Sequence, residues 1–257
     1  MPYLGNILSV GSSAVTASAS ALAPFTNTYS VDFDGIDDYG AADGFVSSTS
    51  SETSGSFVWY MNPDDATPGG SESPWSYADD NGNEALFPYM TTASKFACTL
   101  RVAGTNQWIF ESDSAIFSDG NWKHCALVHN GTEPVLYING SAVAITFTTS
   151  TDKTAWLSDL TSADVFRIGL LRFFDSTDRN QFSGKIDELG YTSTALSSGQ
   201  VSDIYASGGD LSNYSPIGYW RMGDNDGGTG TTITDQGSGG NNATLTNGPT
   251  FSTNVPT

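Results

Sequence analysis

Short runs of alternating residues, each bounded by turn-forming residues, recur along almost the whole chain. From Thr28 onward, β-branched or aromatic residues alternate with small or polar ones, and Gly, Asn, Asp or Pro interrupts each run. This alternation predicts β-strands with one buried face. Asn139-Gly140 and Asn130-Gly131 each lie between two such runs and predict tight hairpins, because Asn and Gly tolerate positive φ. The pattern therefore favours antiparallel sheets.

One segment departs from the alternation. Residues 196–206 begin with Ser197 and Ser198, either of which can cap the first turn of a short helix. We therefore predict an all-β, two-sheet antiparallel sandwich over residues 29–257, with one short helix. Its C-terminal element, residues 216–257, is expected to pack back on the sandwich. A length of 257 residues is within the range of one all-β domain.

The start of the chain has a different composition. Residues 1–31 carry no charged side chain and consist mostly of small and polar residues. Such a segment cannot bury enough apolar surface to fold alone. We expect residues 1–28 to form an extended arm that a partner subunit orders, which favours a closed homo-oligomer. The apolar anchors of this arm are Tyr3, Leu4, Ile7, Leu8 and Val10.

The charge of the chain is strongly negative, with 28 acidic residues against 9 Lys and Arg and a net charge of −19. Nucleic acid and anionic membranes bind clustered cations, so neither is an expected partner. No stretch approaches the roughly 18 consecutive apolar residues that cross a bilayer. The first cation is Lys95, so we expect no secretory signal.

The two cysteines, Cys98 and Cys125, leave two alternatives open. They are either buried thiols that act as small apolar side chains, or a disulfide that contributes about 3 kcal/mol.

Three segments occur in a characteristic order, and they span about two thirds of the chain. They are FDGIDDY (33–39), WKHCALVHNGTEPVLYINGSAV (122–143) and FSGKIDELGYTSTALS (182–197). Together they resemble the laminin G-like and pentraxin-like branch of the concanavalin A-like jelly-roll sandwiches. The middle segment, with its Trp-x-His strand, Asn-Gly turn and final Tyr-x-Asn-Gly, carries most of the resemblance.

A fourth segment, residues 219–251, resembles the element that usually opens such domains, but here it comes last. Either the domain is circularly permuted, or this element packs where the usual N-terminal one would. Modules in this order are similar to lectin-like proteins of marine bacteriophages. The resemblance implies a capsid decoration, head-fibre or tail-associated protein of the virion, assembled in the host cytoplasm with other capsid or tail proteins. The alternative is a calcium-assisted carbohydrate-binding module that attaches to host surface glycans.

The sequence offers little for catalysis, and we expect no enzymatic activity. Hydrolases of this superfamily carry a Glu-x-Asp-x-x-Glu strand, but here Glu111 and Asp113 are followed by Ile116 where the second Glu is needed. His124 and His129 lie five residues apart in one strand, so alternation puts them on opposite faces. His124 is expected to be a hydrogen-bonded core residue rather than a ligand.

Calcium is the one cofactor that the residues support, because Asp is the short oxygen ligand that loops offer to Ca²⁺. Asp34, Asp37 and Asp38 cluster at the end of the first strand. In the fold that the resemblance implies, this strand pairs with the Gly-x-Ile-Asp-Glu strand. We therefore expect a Ca²⁺ site of Asp34, Asp38 and Asp187. The alternative is that these side chains only form turns and hydrogen bonds at strand ends.

A sugar-binding surface needs exposed aromatic rings beside polar side chains. The candidates in the loop-rich region 63–90 are Trp75, Tyr77 and Tyr89. The alternative is that these rings belong to the core, where a sandwich buries most of its aromatic residues.

Overall fold

The alternating runs of the sequence become antiparallel strands in the computed structural model, which describes residues 25–173 and 176–257. In chain order the described strands are β1 (Ser30–Asp34), β2 (Tyr39–Ala41), β3 (Gly55–Pro63), β4 (Trp75–Ala78), β5 (Ala85–Met90), β6 (Phe96–Val102), β7 (Thr105–Ser112), β8 (Lys123–His129), β9 (Pro134–Ile138), β10 (Ser141–Ala142), β11 (Ile145–Ser150), β12 (Val165–Ile168), β13 (Leu171–Phe173), β14 (Thr177–Arg179), β15 (Ser183–Thr192), β16 (Gly218–Trp220), β17 (Thr232–Ile233), β18 (Ala243–Thr246) and β19 (Thr250–Ser252). The helices are α1 (Gly44–Thr49) and α2 (Ser198–Ala206), with 3₁₀ turns at Leu157–Asp159 and Ser212–Tyr214.

The strands form two antiparallel sheets, as predicted. The first sheet has the order β10-β9-β8-β3-β15-β1-β19, with β16 also pairing with β15. The second sheet has the order β11-β7-β6-β5-β4-β12-β2-β18-β17, and β13 and β14 form a separate hairpin. The predicted short helix is α2. The six-residue helix α1 was not predicted, because it is too short to show a helical period, and the side chain of its N-cap residue Asp43 makes no cap hydrogen bond.

The hairpin turns agree with the sequence. Asn139 and Gly140 have φ angles of 48° and 76°, and Ile138 pairs with Ser141 across them. Asn130 begins the preceding turn, where its side-chain oxygen accepts hydrogen bonds from the backbone N–H groups of Thr132 and Glu133. Both Asn residues thus stabilise their turns in the way that the Asn-Gly pairs predict.

The core lies between the two sheets and is rich in aromatic rings. Phe57 of the first sheet stacks on Trp75 of the second, with ring centroids 4.2 Å apart. Burial of one such ring stabilises the fold by about 2–3 kcal/mol. Cys98 and Cys125 are buried free thiols within the same core, so the disulfide alternative is wrong.

Helix α2 covers the outer face of the first sheet. Ser197 caps it: the Gln200 N–H donates to Ser197 Oγ, and the Ser197 N–H donates to Gln200 Oε1 at 2.8 Å. Val201 and Ile204 of the helix pack on Val58 of β3 in a second, smaller apolar cluster. Strand β3 is therefore buried on both faces, which leaves the outer face of the second sheet as the broader candidate binding surface.

Candidate ligand-binding site

The outer face of the second sheet presents two aromatic side chains from one strand. In β5, Leu86 and Met90 point into the core and are 0% exposed, whereas Phe87 and Tyr89 are partly exposed on the opposite face. The two outer rings stack, with centroids 5.6 Å apart and planes 30° apart. They form a small aromatic surface of the kind that packs against the C–H face of a sugar ring. We call it the Phe87–Tyr89 face.

Polar side chains border this face. Thr99 of β6 lies opposite Phe87, and one strand further Glu111 lies opposite Ala97. Lys95 Nζ approaches Glu111 Oε2 at 3.8 Å. Burial raises the pKa of the Tyr89 hydroxyl, and a hydrogen bond with Thr99 opposes that effect. The Tyr89 hydroxyl is therefore protonated at neutral pH and able to donate.

Arg101 is a second cation near this face, besides Lys95. It follows Thr99 by two residues in β6 and so lies on the same side of the sheet. Its Nη1 donates to Asn106 Oδ1 at 3.1 Å, but its Nε is buried and has no partner among the described residues. The Arg101 side chain as a whole is half-buried, so its guanidinium places a positive charge near the Phe87–Tyr89 face, which suits a ligand that carries a carboxylate.

Two of the three aromatic residues predicted from the sequence are core residues, so their assignment to a glycan site is wrong. Trp75 and Tyr77 are both 0% exposed, and Tyr77 donates from its hydroxyl to the Val46 carbonyl at 3.1 Å. The reason is the phase of β4, whose two aromatic positions face inward, whereas those of β5 face outward. Of the three, Tyr89 alone lies on the outer face.

The acidic turn after β1 gathers three carboxylates. One carboxylate oxygen from each of Asp34, Asp37 and Asp38 lies within 4.8 Å of the others. Asp38 Oδ2 accepts a hydrogen bond from the Asp34 N–H at 3.1 Å. Burial raises the pKa of Asp38, and the neighbouring carboxylates add to the rise. Three hard oxygen ligands that repel one another form a suitable donor set for Ca²⁺.

Asp187 is not part of this turn, so the predicted ligand set of Asp34, Asp38 and Asp187 is wrong in its third member. Strands β1 and β15 do pair, but Asp34 lies opposite Ser183. Asp187 is four residues further along β15, or about 13 Å away at ~3.3 Å per residue. The choice of strands was correct, and the antiparallel register separates the residues.

Asp187 instead belongs to a buried charged cluster with Glu188 and Arg221. The β15 register with β3 shifts between Asp187 and Gly190, which is a β-bulge at which Glu188 has a φ of 47°. The bulge turns Glu188 toward Arg221, whose Nη2 donates to its Oε1 at 3.1 Å. Burial raises the pKa of Asp187 well above its usual range, and Asn27 Nδ2 donates to it at 2.9 Å.

The base of the predicted arm rests on this cluster. Phe25 lies 4.3 Å from the Arg221 guanidinium in a cation–π contact, and the Thr26 carbonyl accepts from Arg221 Nη2 at 2.7 Å. A cavity of about 650 Å³ lies beside them, also lined by Asp210 and Asp224. The arm anchors Tyr3, Leu4, Ile7, Leu8 and Val10 lie outside the described residues. Sequence reasoning missed this cluster, because no local pattern marks a bulge.

The two histidines lie on opposite faces of β8, as predicted. His129 packs on Trp156, with ring centroids 4.7 Å apart, and its Nε2 is 2.9 Å from the Lys153 carbonyl. His124 is also buried, but neither ring nitrogen has a partner among the described residues. The expected core position of His124 is confirmed, whereas the hydrogen bond expected with it is not found among the described residues.

Comparison with known proteins agrees with this architecture. The model of the concanavalin A-like lectin/glucanases superfamily matches residues 33–202. The chain belongs to that superfamily. Its fold is lectin-like, as the resemblance implied, and no curated protein sequence matches it.

Solved structures similar to this domain include carbohydrate-binding proteins. The CBM40 of the Ruminococcus gnavus IT-sialidase, bound to α2,3-sialyllactose, has a TM-score of 0.56 and 15% identity, and the match covers 68% of this chain and 96% of that one. A putative carbohydrate-binding protein from Bacteroides ovatus has a TM-score of 0.60 and 17% identity, over 91% of this chain and 62% of that one. At such identities the likeness establishes the fold alone.

Among the described residues, neither α-helix is long or apolar enough to span a membrane.

Proposed function

We propose that this domain is a non-enzymatic carbohydrate-binding module whose ligand lies on the Phe87–Tyr89 face. The observation that carries the proposal is the outward stacking of these two rings in a sandwich that turns Trp75 and Tyr77 inward. Partly exposed, stacked rings beside Thr and Arg side chains are the usual composition of a sugar-binding surface. The lectin-like fold and the carbohydrate-binding proteins with similar structures support it.

Arg101 points to an acidic sugar as the ligand class. Its half-buried guanidinium offers a positive charge to a carboxylate, while the Phe87 and Tyr89 rings pack on the sugar. A similar domain, the CBM40 of the R. gnavus sialidase, binds α2,3-sialyllactose. Sialyllactose is therefore the first probe for this chain, and lactose, which lacks the carboxylate, is the matched neutral one.

Calorimetric titration with both sugars tests this proposal. We expect sialyllactose to bind at least about tenfold more tightly than lactose, and Tyr89→Ala to weaken binding by about tenfold. Tyr214→Ala is the control, because it makes the same change at a partly exposed tyrosine that packs on the outer cluster of the first sheet, away from this face. Equal binding by the wild type and Tyr89→Ala, or no binding of either sugar, would overturn the proposal.

Calcium binding at the acidic turn is a second part of the proposal. Asp34, Asp37 and Asp38 would hold the ion through their carboxylate oxygens, with no contribution from Asp187. Bound Ca²⁺ would neutralise the mutual repulsion of the three carboxylates and so stabilise the turn.

We also propose that the domain is displayed on a virus particle, with residues 1–24 as the assembly segment. The supporting observation is that Phe25 and Thr26 are held by Arg221, so the uncharged arm starts from a fixed point on the domain. Light scattering of the full chain beside a version that lacks residues 1–24 tests this role. An oligomer that becomes a monomer on deletion is expected, and identical masses would contradict it.

A further inference from the structure

We propose a second ligand site on the opposite side of the domain, which takes one neutral pyranose ring. It is a pocket of about 280 Å³ between α2, the end of β3, the start of β8 and the last residues of the chain. We call it the helix-side pocket. It lies on the outer face of the first sheet and is separate from the Phe87–Tyr89 face on the second.

Three aromatic rings line this pocket, and each comes from a different element. Tyr60 belongs to β3, Trp122 immediately precedes β8, and Tyr205 lies in the last turn of α2. The Tyr60 and Trp122 rings meet edge to face with centroids 6.4 Å apart. Tyr205 is 39% exposed, which is unusual for a large side chain in this domain. Tyr60 is buried and forms the floor of the pocket, so Trp122 and Tyr205 are the rings that a sugar can pack against.

The polar groups of the pocket suit hydroxyls rather than charges. Asn121 and Asn139 line it, and no side chain in the lining is charged although the chain carries 28 acidic residues. The Asn139 oxygen accepts from the His124 N–H at 3.0 Å, which directs the Asn139 amide nitrogen elsewhere as a free donor. A neutral ligand with several hydroxyls matches this lining.

His124 lies directly beneath the aromatic rings of the pocket. Its ring contacts two rings of the pocket, Tyr60 at 5.0 Å and Tyr205 at 5.5 Å between centroids. It is 0% exposed, and both of its nitrogens lack a partner among the described residues. The Tyr60 hydroxyl donates to the Tyr205 carbonyl at 3.3 Å, which closes the pocket floor over the imidazole. His124 therefore does not touch a ligand itself, but its ring reports on any ligand that packs on Tyr60 or Tyr205.

The end of the chain holds the pocket in shape. Ser30 Oγ donates to the Asn254 carbonyl at 2.8 Å, and Trp122 Nε1 donates to Asn254 Oδ1 at 3.1 Å. These bonds draw residues 253–257 across the outer face of the first sheet and orient the Trp122 ring. Pro256 then forms one wall. The volume is at the lower limit for small-molecule sites, which fits one ring rather than an oligosaccharide.

Nuclear magnetic resonance of the full chain tests the proposal, with the His124 ring nitrogens and the Trp122 indole N–H as reporters. The probes are the methyl glycosides of galactose, glucose and mannose, each added separately up to millimolar concentrations. We expect at least one to shift both reporters saturably. Tyr205→Ala should weaken that binding by about tenfold, whereas Tyr205→Phe, which keeps the ring, should stay within about twofold.

Tyr89→Ala separates this site from the Phe87–Tyr89 face, because it should leave the shifts of His124 and Trp122 unchanged. The inference is overturned if none of the three glycosides moves both reporters, or if Tyr205→Ala titrates like the wild type. Saturable shifts at His124 in a chain that does not bind sialyllactose would support this inference and contradict the proposed function alone.

Discussion

Arg221 donates from both Nε and Nη2 to the carboxylate of Glu188, a side chain with no exposed surface. The Tyr219 hydroxyl donates to the same carboxylate, and Arg221 also contacts Asp224 at 2.8 Å. This ion pair links three parts of the chain, namely β15, the segment after β16 and the residues that precede β1. It lies beside Phe25 and Thr26, the first of the described residues.

Removal of the cation should therefore be costly. We expect Arg221→Met to lower the free energy of unfolding by about 3–5 kcal/mol, because Glu188 is left as an uncompensated buried charge. Chemical denaturation measures the loss. Lys95→Met is the control, since Lys95 and Glu111 are both partly exposed and surface pairs contribute about 0–1 kcal/mol. Similar losses in the two variants would contradict the assignment.

His124→Phe should raise stability in the absence of ligand. The substitution keeps a ring among Tyr60 and Tyr205 and removes two buried nitrogens that have no partner. His129→Phe is the matched contrast: it breaks the contact with the Lys153 carbonyl and should cost about 1–2 kcal/mol. The midpoints of urea denaturation at pH 7 distinguish the two variants. A loss of stability in His124→Phe as large as that in His129→Phe would contradict the prediction.

The same histidine predicts a pH dependence. Burial lowers the pKa of His124 to about 3, whereas an unfolded His titrates near 6.5. The unfolded chain therefore takes up a proton that the folded chain refuses, so stability falls as the pH drops below about 6.5. In His124→Phe the fall between pH 7 and 4.5 should be smaller than in the wild type. Denaturation curves of both proteins at pH 7 and 4.5 give the comparison. An equal fall in stability in the two proteins would contradict the prediction.

Glu72 predicts the opposite slope. Burial raises its pKa to about 7, against the opposing effect of the Ser183 N–H that donates to it at 3.2 Å. Because the pKa of Glu72 is raised in the folded state, its carboxyl group contributes to the free energy of unfolding in full below about pH 4.5, the usual pKa range for Glu. That contribution is lost as the pH rises through about 7. The Glu72→Gln variant should therefore lose less stability between pH 5 and 8 than the wild type. Glu133→Gln is the control at an exposed site, and it should lose as much stability as the wild type.

Calcium should stabilise the folded chain. At a Ca²⁺ concentration of about 100 times the dissociation constant, the expected gain is about 2.7 kcal/mol, seen as a rise in Tm that a chelator reverses. Asp37→Asn should reduce that rise. Asp113→Asn should not, because Asp113 lies outside the acidic turn and bonds to Thr146. A rise of equal size in all three proteins would place the ion elsewhere.

Local signals identified the hairpin at Asn139-Gly140 and the helix cap at Ser197 correctly, because each depends on a few neighbouring residues. The candidate site was harder to predict. Trp75, Tyr77 and Tyr89 look alike in the sequence, and only the phase of each strand relative to the core separates buried rings from exposed ones. His124 was correctly expected to be buried, but its lack of partners depends on what packs around it.

Alternation and turn residues are properties of the chain itself, and they were enough to predict two antiparallel sheets and one capped helix, while the family resemblance implied the pairing of β1 with β15. Long-range register is different, because a shift of a few residues costs little locally and moves a side chain by many ångströms. Packing between the sheets placed Asp187 far from Asp34, and the bulge turned Glu188 toward Arg221. The strand register and the position of the bulge are the ones that bury the most apolar surface. The amount of buried surface is set by the whole folded domain and not by any local stretch of sequence.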